Sequence, residues 1–224
     1  VIMQAPKNGF FYVLDRETGD LIYADPFAQV TWATGIDLES GRPNETPQAR
    51  YDNAITFLTP GPSGAHNWHP MSFNPNTGLL YVPTNQGGAF PYSVNEDYEY
   101  ESAGWNLGIG LGTQVGKAVR PDDEYAEGTG PVYDSPGVLL AWDPATRSPR
   151  WVVEYPFNTN GGTLSTEGNL VFQGGADGVF RSFSADNGEL LWQADLGVGI
   201  MAAPMTYELD GIQYVSVLVG WGGS

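Results

Sequence analysis

The chain contains no cysteine, which excludes disulfides, thiolate metal sites, haem attached through cysteine and cysteine nucleophiles within its 224 residues. Positive charge is scarce too: 9 Lys+Arg stand against 26 Asp+Glu, a formal net charge of −17. A field of that sign repels phosphate backbones and anionic lipid, so nucleic acid and acidic membrane surfaces are poor partners. Only two histidines are present, and without a third or a cysteine they cannot complete an ordinary transition-metal site. No apolar run approaches the ~20 residues of a membrane-spanning helix, and no basic-then-apolar leader opens the chain. The chain starts at Val1 on an apolar "VIMQA" strand and stops after "VGWGGS", which reads as a segment of a larger protein.

What is abundant is turn and strand material. Thirty glycines, 17 prolines and 13% aromatic residues, with charged residues at 16%, suit many short strands joined by tight turns. No useful length shows helical periodicity, so the fold class is all-β. Looking for repeats first is informative. "FYVLDRETGDLIY", "LLAWDPATRSPRW" and "FRSFSADNGELLW" each read as an apolar strand, a polar turn and a second strand ending in Tyr or Trp. "MSFNPNTGLLYVP" keeps the turn, and "TWATGIDLESGRP" keeps the first half. "GGTLSTEGNLVFQGG" and "PMTYELDGIQYVSVLVG" add two more hairpins, the latter turning at Asp210-Gly211. Paired hairpins repeated in this way predict four-stranded antiparallel blades, roughly four of them, in a partial β-propeller filling residues 1–224 as one domain. Residues from about 85 to 135 break the repeat and read as a long loop excursion on the face of the ring. The "DLESGRPNETPQARYDNAITFLTPGPSG" stretch is a shorter one.

The frame of Ala141, Asp143 and Trp151, and that of Ser182, Ser184, Gly188 and Trp192, resembles the tryptophan-docking repeat of the pyrroloquinoline-quinone (PQQ) dehydrogenases. In that repeat the tryptophan of one blade stacks on its neighbour, so Trp151 and Trp192 are expected buried between blades. Three departures stand out: Tyr23 ends the first unit, Arg147 stands where glycine is usual, and Ser184 replaces the aspartate. "QAPKNGFFYVLDR", "GAHNWHPMSFNPNTGLLYVP", "NGGTLSTEGNLVFQGGADG" and "MAAPMTYELDGIQYVSVLVGWGG" are similar, in the same order, to segments of the alcohol dehydrogenases of this family, most of all its quinohaemoprotein branch. The resemblance is weakest across about 85–135.

It implies part of an eight-bladed propeller whose enzyme oxidises alcohols by hydride transfer to PQQ and passes electrons to haem or another acceptor. Lys7 matches the lysine that hydrogen-bonds the quinone oxygens, and Asn67 and Trp68 match an Asn-Trp pair that contacts the cofactor. The base, the calcium ligands and a disulfide over PQQ are implied upstream of Val1, and a haem c domain, where present, downstream of Ser224. No catalytic or metal-binding residue is therefore assigned here, and the segment alone is expected to be inactive. A small alcohol, a cytochrome or quinone acceptor and a periplasmic location follow from the same resemblance. Alternatives are a dehydrogenase of the family acting on a sugar, polyvinyl alcohol or a heterocycle, or a non-catalytic propeller scaffold.

Read from the residues alone, Lys7 is a solvated charge, and Asn67 and Trp68 are a turn residue and a blade-packing aromatic. His66 and His69 read as groups that orient Trp68 or satisfy the backbone. Glu96, Asp97, Glu99 and Glu101 lack the glycine-punctuated spacing of a calcium loop and read as a solvated loop. Lys7, Asn67 and Trp68 are expected on one face of the ring.

Overall fold

Five turns of one design punctuate the chain. In each, the amide of the fifth residue donates to the carbonyl of the first: Gly19 to Asp15, Gly41 to Asp37, Gly78 to Asn74, Arg147 to Asp143 and Gly188 to Ser184, at 2.8–2.9 Å. The fifth residue is left-handed every time, with φ between 60° and 81°, which favours glycine and makes Arg147 the exception. Where the first residue is Asp or Asn, its side chain accepts one or two amide N–H groups of the turn, as Asp15 does from Glu17 and Thr18 at 2.7 and 3.1 Å. Those two donors, Glu17 first, hold the Asp15 carboxyl below the usual carboxylate range.

The computed structural model describes residues 1–51, 55–86, 88–104, 106–111, 128–157 and 161–221. Its strands are β1 (Ile2–Gln4), β2 (Phe10–Leu14), β3 (Leu21–Pro26), β4 (Ala33–Ile36), β5 (Pro43–Glu45), β6 (Thr56–Leu58), β7 (Ser72–Asn74), β8 (Leu79–Asn85) and β9 (Phe90–Val94). They continue with β10 (Ile109–Leu111), β11 (Gly137–Asp143), β12 (Ser148–Tyr155), β13 (Thr163–Thr166), β14 (Leu170–Gly174), β15 (Val179–Ser184), β16 (Leu190–Asp195), β17 (Met205–Leu209) and β18 (Ile212–Ser216).

Every pairing between these strands is antiparallel. The sheets β1-β2-β3, β7-β8-β11-β12, β13-β14-β15-β16 and β17-β18 are the blades, two of them with all four strands. The second is assembled across the excursion, since β8 pairs with β11 from Asn85↔Gly137 to Leu80↔Trp142. The excursion is itself partly built. β9 and β10 form a sheet with β6, in the order β10-β9-β6, while residues 112–127 lie outside the described residues. β4-β5 forms a separate hairpin.

β8 and β11 are buried on both sides, which explains their unbroken apolar runs. Leu80, Val82, Val138 and Leu140 pack toward Phe11, Val13 and Tyr23 of the first blade. The alternate residues Leu79, Tyr81, Leu139 and Ala141 pack toward Val171 and Phe183 of the third. A strand period of two thus feeds two interfaces from one sheet.

Docking follows the expected frame once and varies it once. Trp151 is 9% exposed, donates its indole N–H to the Ala185 carbonyl at 3.0 Å, and stacks on Tyr81 at 5.5 Å between ring centres. Its six-membered ring lies so close to Gly188 that an added Cβ there would sit 2.7 Å from Cε3. At the preceding interface Tyr23 donates its hydroxyl to the Pro144 carbonyl at 2.9 Å, the position equivalent to Ala185. The Arg147 guanidinium covers the phenol ring at 4.6 Å and grips Asp25 with two bonds of 2.6 and 2.7 Å. The two departures from the repeat are therefore one substitution in two parts: a smaller ring, and an arginine that fills the space over it.

The expectation for Trp192 is overturned. It is 52% exposed, and its ring meets that of Phe180 edge-on at 6.1 Å. The docking turn joins the third and fourth strands of a blade, and β17-β18 has no such turn among the described residues.

Candidate cofactor site

Antiparallel neighbours place successive connections at alternate ends of a blade. The docking turns all fall at one end. Residues 5–9, 27–71, 86–136, 156–162, 175–178 and 196–204 fall at the other, where cross-contacts such as the Thr163 amide to the Pro70 carbonyl join them. Lys7, Asn67 and Trp68 thus lie on the same face, together with both excursions.

Lys7 sits on a turn that the repeat supplies twice. Asn8 Oδ1 accepts the Phe10 amide at 3.1 Å, and Gly9 is left-handed at φ 91°. In the third blade Asp177 Oδ1 accepts the Val179 amide at 3.1 Å, and Gly178 has φ 81°. The position of Lys7 is there Ala176, so the turn forms without a cation. Lys7 is exposed, makes no ion pair among the described residues, and donates from Nζ to the Pro62 carbonyl at 3.2 Å.

The segment 59–69 is strapped over Lys7. The Ala65 amide donates to the Lys7 carbonyl at 3.0 Å. Gly64, with φ 76°, lies where a Cβ would meet Lys7 Cα, Cβ and Cγ at 2.5–2.7 Å, so only glycine permits this approach. Asn67 Nδ2 donates to the Ser63 carbonyl at 3.1 Å, and Asn67 Oδ1 accepts the Trp68 amide at 2.9 Å. Lys7 touches the segment that carries Asn67 and Trp68. No hydrogen bond joins it to those two side chains among the described residues. A cleft of about 170 Å³ opens beside the strap, lined by Thr59, Pro62, Asn85, Gln86 and Phe90 among others.

Trp68 is not a blade-packing aromatic. Its ring is 62% exposed and stacks on His69 at 4.2 Å, with 24° between planes. His69 is 6% exposed, and its buried Nε2 has no partner among the described residues. Burial, and then the charge of His66, depress the titration of His69 below the ordinary histidine value. His66 is 4% exposed, with Nδ1 2.5 Å from the Ala5 carbonyl and Nε2 2.7 Å from the His69 carbonyl. The sequence hinted at neither Gly64 nor this pair of bonds beyond the general observation that histidine before Asn-Trp could serve the backbone. The acidic run Glu96–Glu101 stands away from this strap in sequence and is exposed.

An exposed indole face and, among the described residues, a cation without a carboxylate partner and a buried ring nitrogen lacking a partner suit a flat, anionic, carbonyl-bearing ligand. PQQ, an aromatic ortho-quinone bearing carboxylates, has that chemistry. Antiparallel blades joined through docked turns at one end define a partial β-propeller.

The chain belongs to the PQQ family described as the glucose/ethanol/alcohol dehydrogenase beta-propeller domain, which matches residues 26–215. It is 49% identical over its whole length to the quinohemoprotein alcohol dehydrogenase ADH IIB of Pseudomonas putida, and 47% identical to a quinohemoprotein alcohol dehydrogenase of Comamonas testosteroni. The crystal structure of the Comamonas testosteroni enzyme superposes with a TM-score of 0.84 over 98% of this chain and 32% of that one, at 43% identity. A europium-containing methanol dehydrogenase gives 0.81 at 34% identity, over 98% of this chain and 37% of that one. The chain spans about 30% of the length of the two curated relatives.

Proposed function

We propose that the chain is the PQQ-facing part of an enzyme that oxidises small alcohols to aldehydes. PQQ, when bound, supplies the two-electron acceptor for the hydride that leaves the alcohol carbon. Lys7 holds its ammonium toward the quinone oxygens and stabilises negative charge there, as a fixed donor that needs no reorganisation. Asn67 has a remaining amide N–H for the cofactor, because its other polar contacts pin the strap. Trp68 offers its exposed face as a contact surface. The base and a hard cation, calcium or a lanthanide, belong to other parts of the full-length protein. The electron acceptor is a cytochrome or haem c domain, in keeping with relatives named quinohemoprotein and 1-butanol dehydrogenase (cytochrome c), and the setting proposed for it is the periplasm.

The observation that carries this reading is Lys7, a cation without a carboxylate partner among the described residues, on a turn that closes equally well around Ala176. The full-length apo-protein supplied with PQQ and Ca²⁺ should quench tryptophan fluorescence saturably and reduce a dye with ethanol or 1-butanol. Absence of PQQ binding under these conditions refutes the proposal. A relative 38% identical over the whole chain is a lupanine 17-hydroxylase, which makes a nitrogen heterocycle the second substrate class to test in the same assay.

A further inference from the structure

His66 faces a backbone carbonyl with each ring nitrogen, Ala5 at 2.5 Å and His69 at 2.7 Å. A carbonyl oxygen only accepts, so the ring nitrogen that carries the proton donates, and the ring spans the gap between the two carbonyls. The two acceptors belong to the two segments of the site: Ala5 lies two residues before Lys7, and His69 directly follows Trp68. At 4% exposure the ring is sealed from water that could replace either bond. The neighbouring tie, from the Ala65 amide to the Lys7 carbonyl, fixes only the near side of the strap.

We infer that His66 is a positioning residue of the cofactor site, a strut between two backbone carbonyls that sets the spacing between Lys7 and Trp68. This rests on the reading that Lys7 and Trp68 hold PQQ. The strut works through backbone and touches no reacting atom. The groups around it that titrate or carry charge are His69, stacked under Trp68, and the Lys7 ammonium.

The test uses the full-length protein with His66→Phe, which keeps a ring but no N–H, and His66→Gln, which keeps an amide donor. Hydrogen exchange of the apo-protein should quicken in the peptides covering 3–9 and 61–69 for His66→Phe, with His66→Gln intermediate. PQQ affinity, read from fluorescence quenching, should weaken about tenfold in His66→Phe. In a Trp68→Ala background the same change should add little, because the strut acts through that indole. Unchanged exchange in these peptides, or PQQ affinities for both variants equal to wild type, overturns the strut. Failure of the wild type to bind PQQ, with exchange altered as expected, overturns the cofactor reading and with it the strut's purpose. Should His66→Phe not fold, His66→Gln carries both measurements.

Discussion

Two glycines with the same backbone and different surroundings isolate the energy of docking. Gly19 and Gly188 both close the five-residue turn in the left-handed region, at φ 81° and 74°. Alanine at either pays the left-handed penalty of ~1–2 kcal/mol, partly offset by ~0.4–1 kcal/mol from a less flexible unfolded chain. A Cβ on Gly19 meets nothing within 4 Å, whereas one on Gly188 lies 2.7 and 2.9 Å from Cε3 and Cδ2 of Trp151. That ring cannot slide away freely, since its N–H is bonded to Ala185 and its face is stacked on Tyr81. Overpacking of this kind costs ~1–3 kcal/mol. Gly188→Ala should therefore be less stable than Gly19→Ala by that amount, with the shared backbone term cancelling. Calorimetric midpoints of the propeller transition in the full-length protein, with near-ultraviolet circular dichroism of the indoles, provide the readout. Equal midpoints for the two variants would refute a Trp151 wedged against the next blade's turn.

The Tyr23–Arg147 pair should behave as a unit. Tyr23→Phe loses the bond to Pro144 and ~0.5–1.5 kcal/mol, while the double change Tyr23→Trp with Arg147→Gly should match or exceed wild-type stability in the same calorimetric assay. In the reconstituted enzyme Lys7→Ala should slow single-turnover cofactor reduction by ~10²–10³ while changing PQQ affinity less. Trp68→Ala should do the reverse, chiefly weakening the affinity, so stopped-flow reduction and PQQ titration together separate the roles. Stability should fall as pH drops below ~6.5, because the unfolded His69 ring takes up a proton that the buried ring resists; His69→Phe should flatten that part of a pH series of thermal midpoints.

The turns were legible because their requirements are local: an Asp, Asn or Ser start and a left-handed close four residues on. The hairpins they join all form, from β2-β3 to β15-β16. The pairing of β8 with β11 across the excursion was not read, because residues 86–136 separate its two strands and no local signal joins them. Where the reading fell short, the cause was a partner distant in sequence. Trp192 carries the docking frame, yet a frame states only what a ring offers, and burial needs the facing turn. Arg147 looked like a defect in its own turn and is explained only by Tyr23 and Asp25, more than a hundred residues away. Lys7 and Asn67-Trp68 were singled out from flanking residues and lie on one face, but His66 bridging Ala5 and His69 is a property of the folded strap. β6, β9 and β10 escaped notice because three short arms within the excursions lack clear alternation.

The gap between β8 and β11 has a consequence for how such a protein can change. In the third blade the same connection, residues 175–178, is four residues long, while here residues 86–136 intervene between strands that still pair. Loop-closure entropy grows only with the logarithm of length, so this extension costs roughly 2 kcal/mol, less than a single large buried side chain contributes. The turns at the opposite end have no such latitude, because one bond across five residues and a ring pressed on the last of them fix their length. New segments can thus enter the cofactor-facing end while the blade contacts stay untouched. Variation that reshapes what reaches the site is cheap there, and the ring need not be rebuilt to accept it.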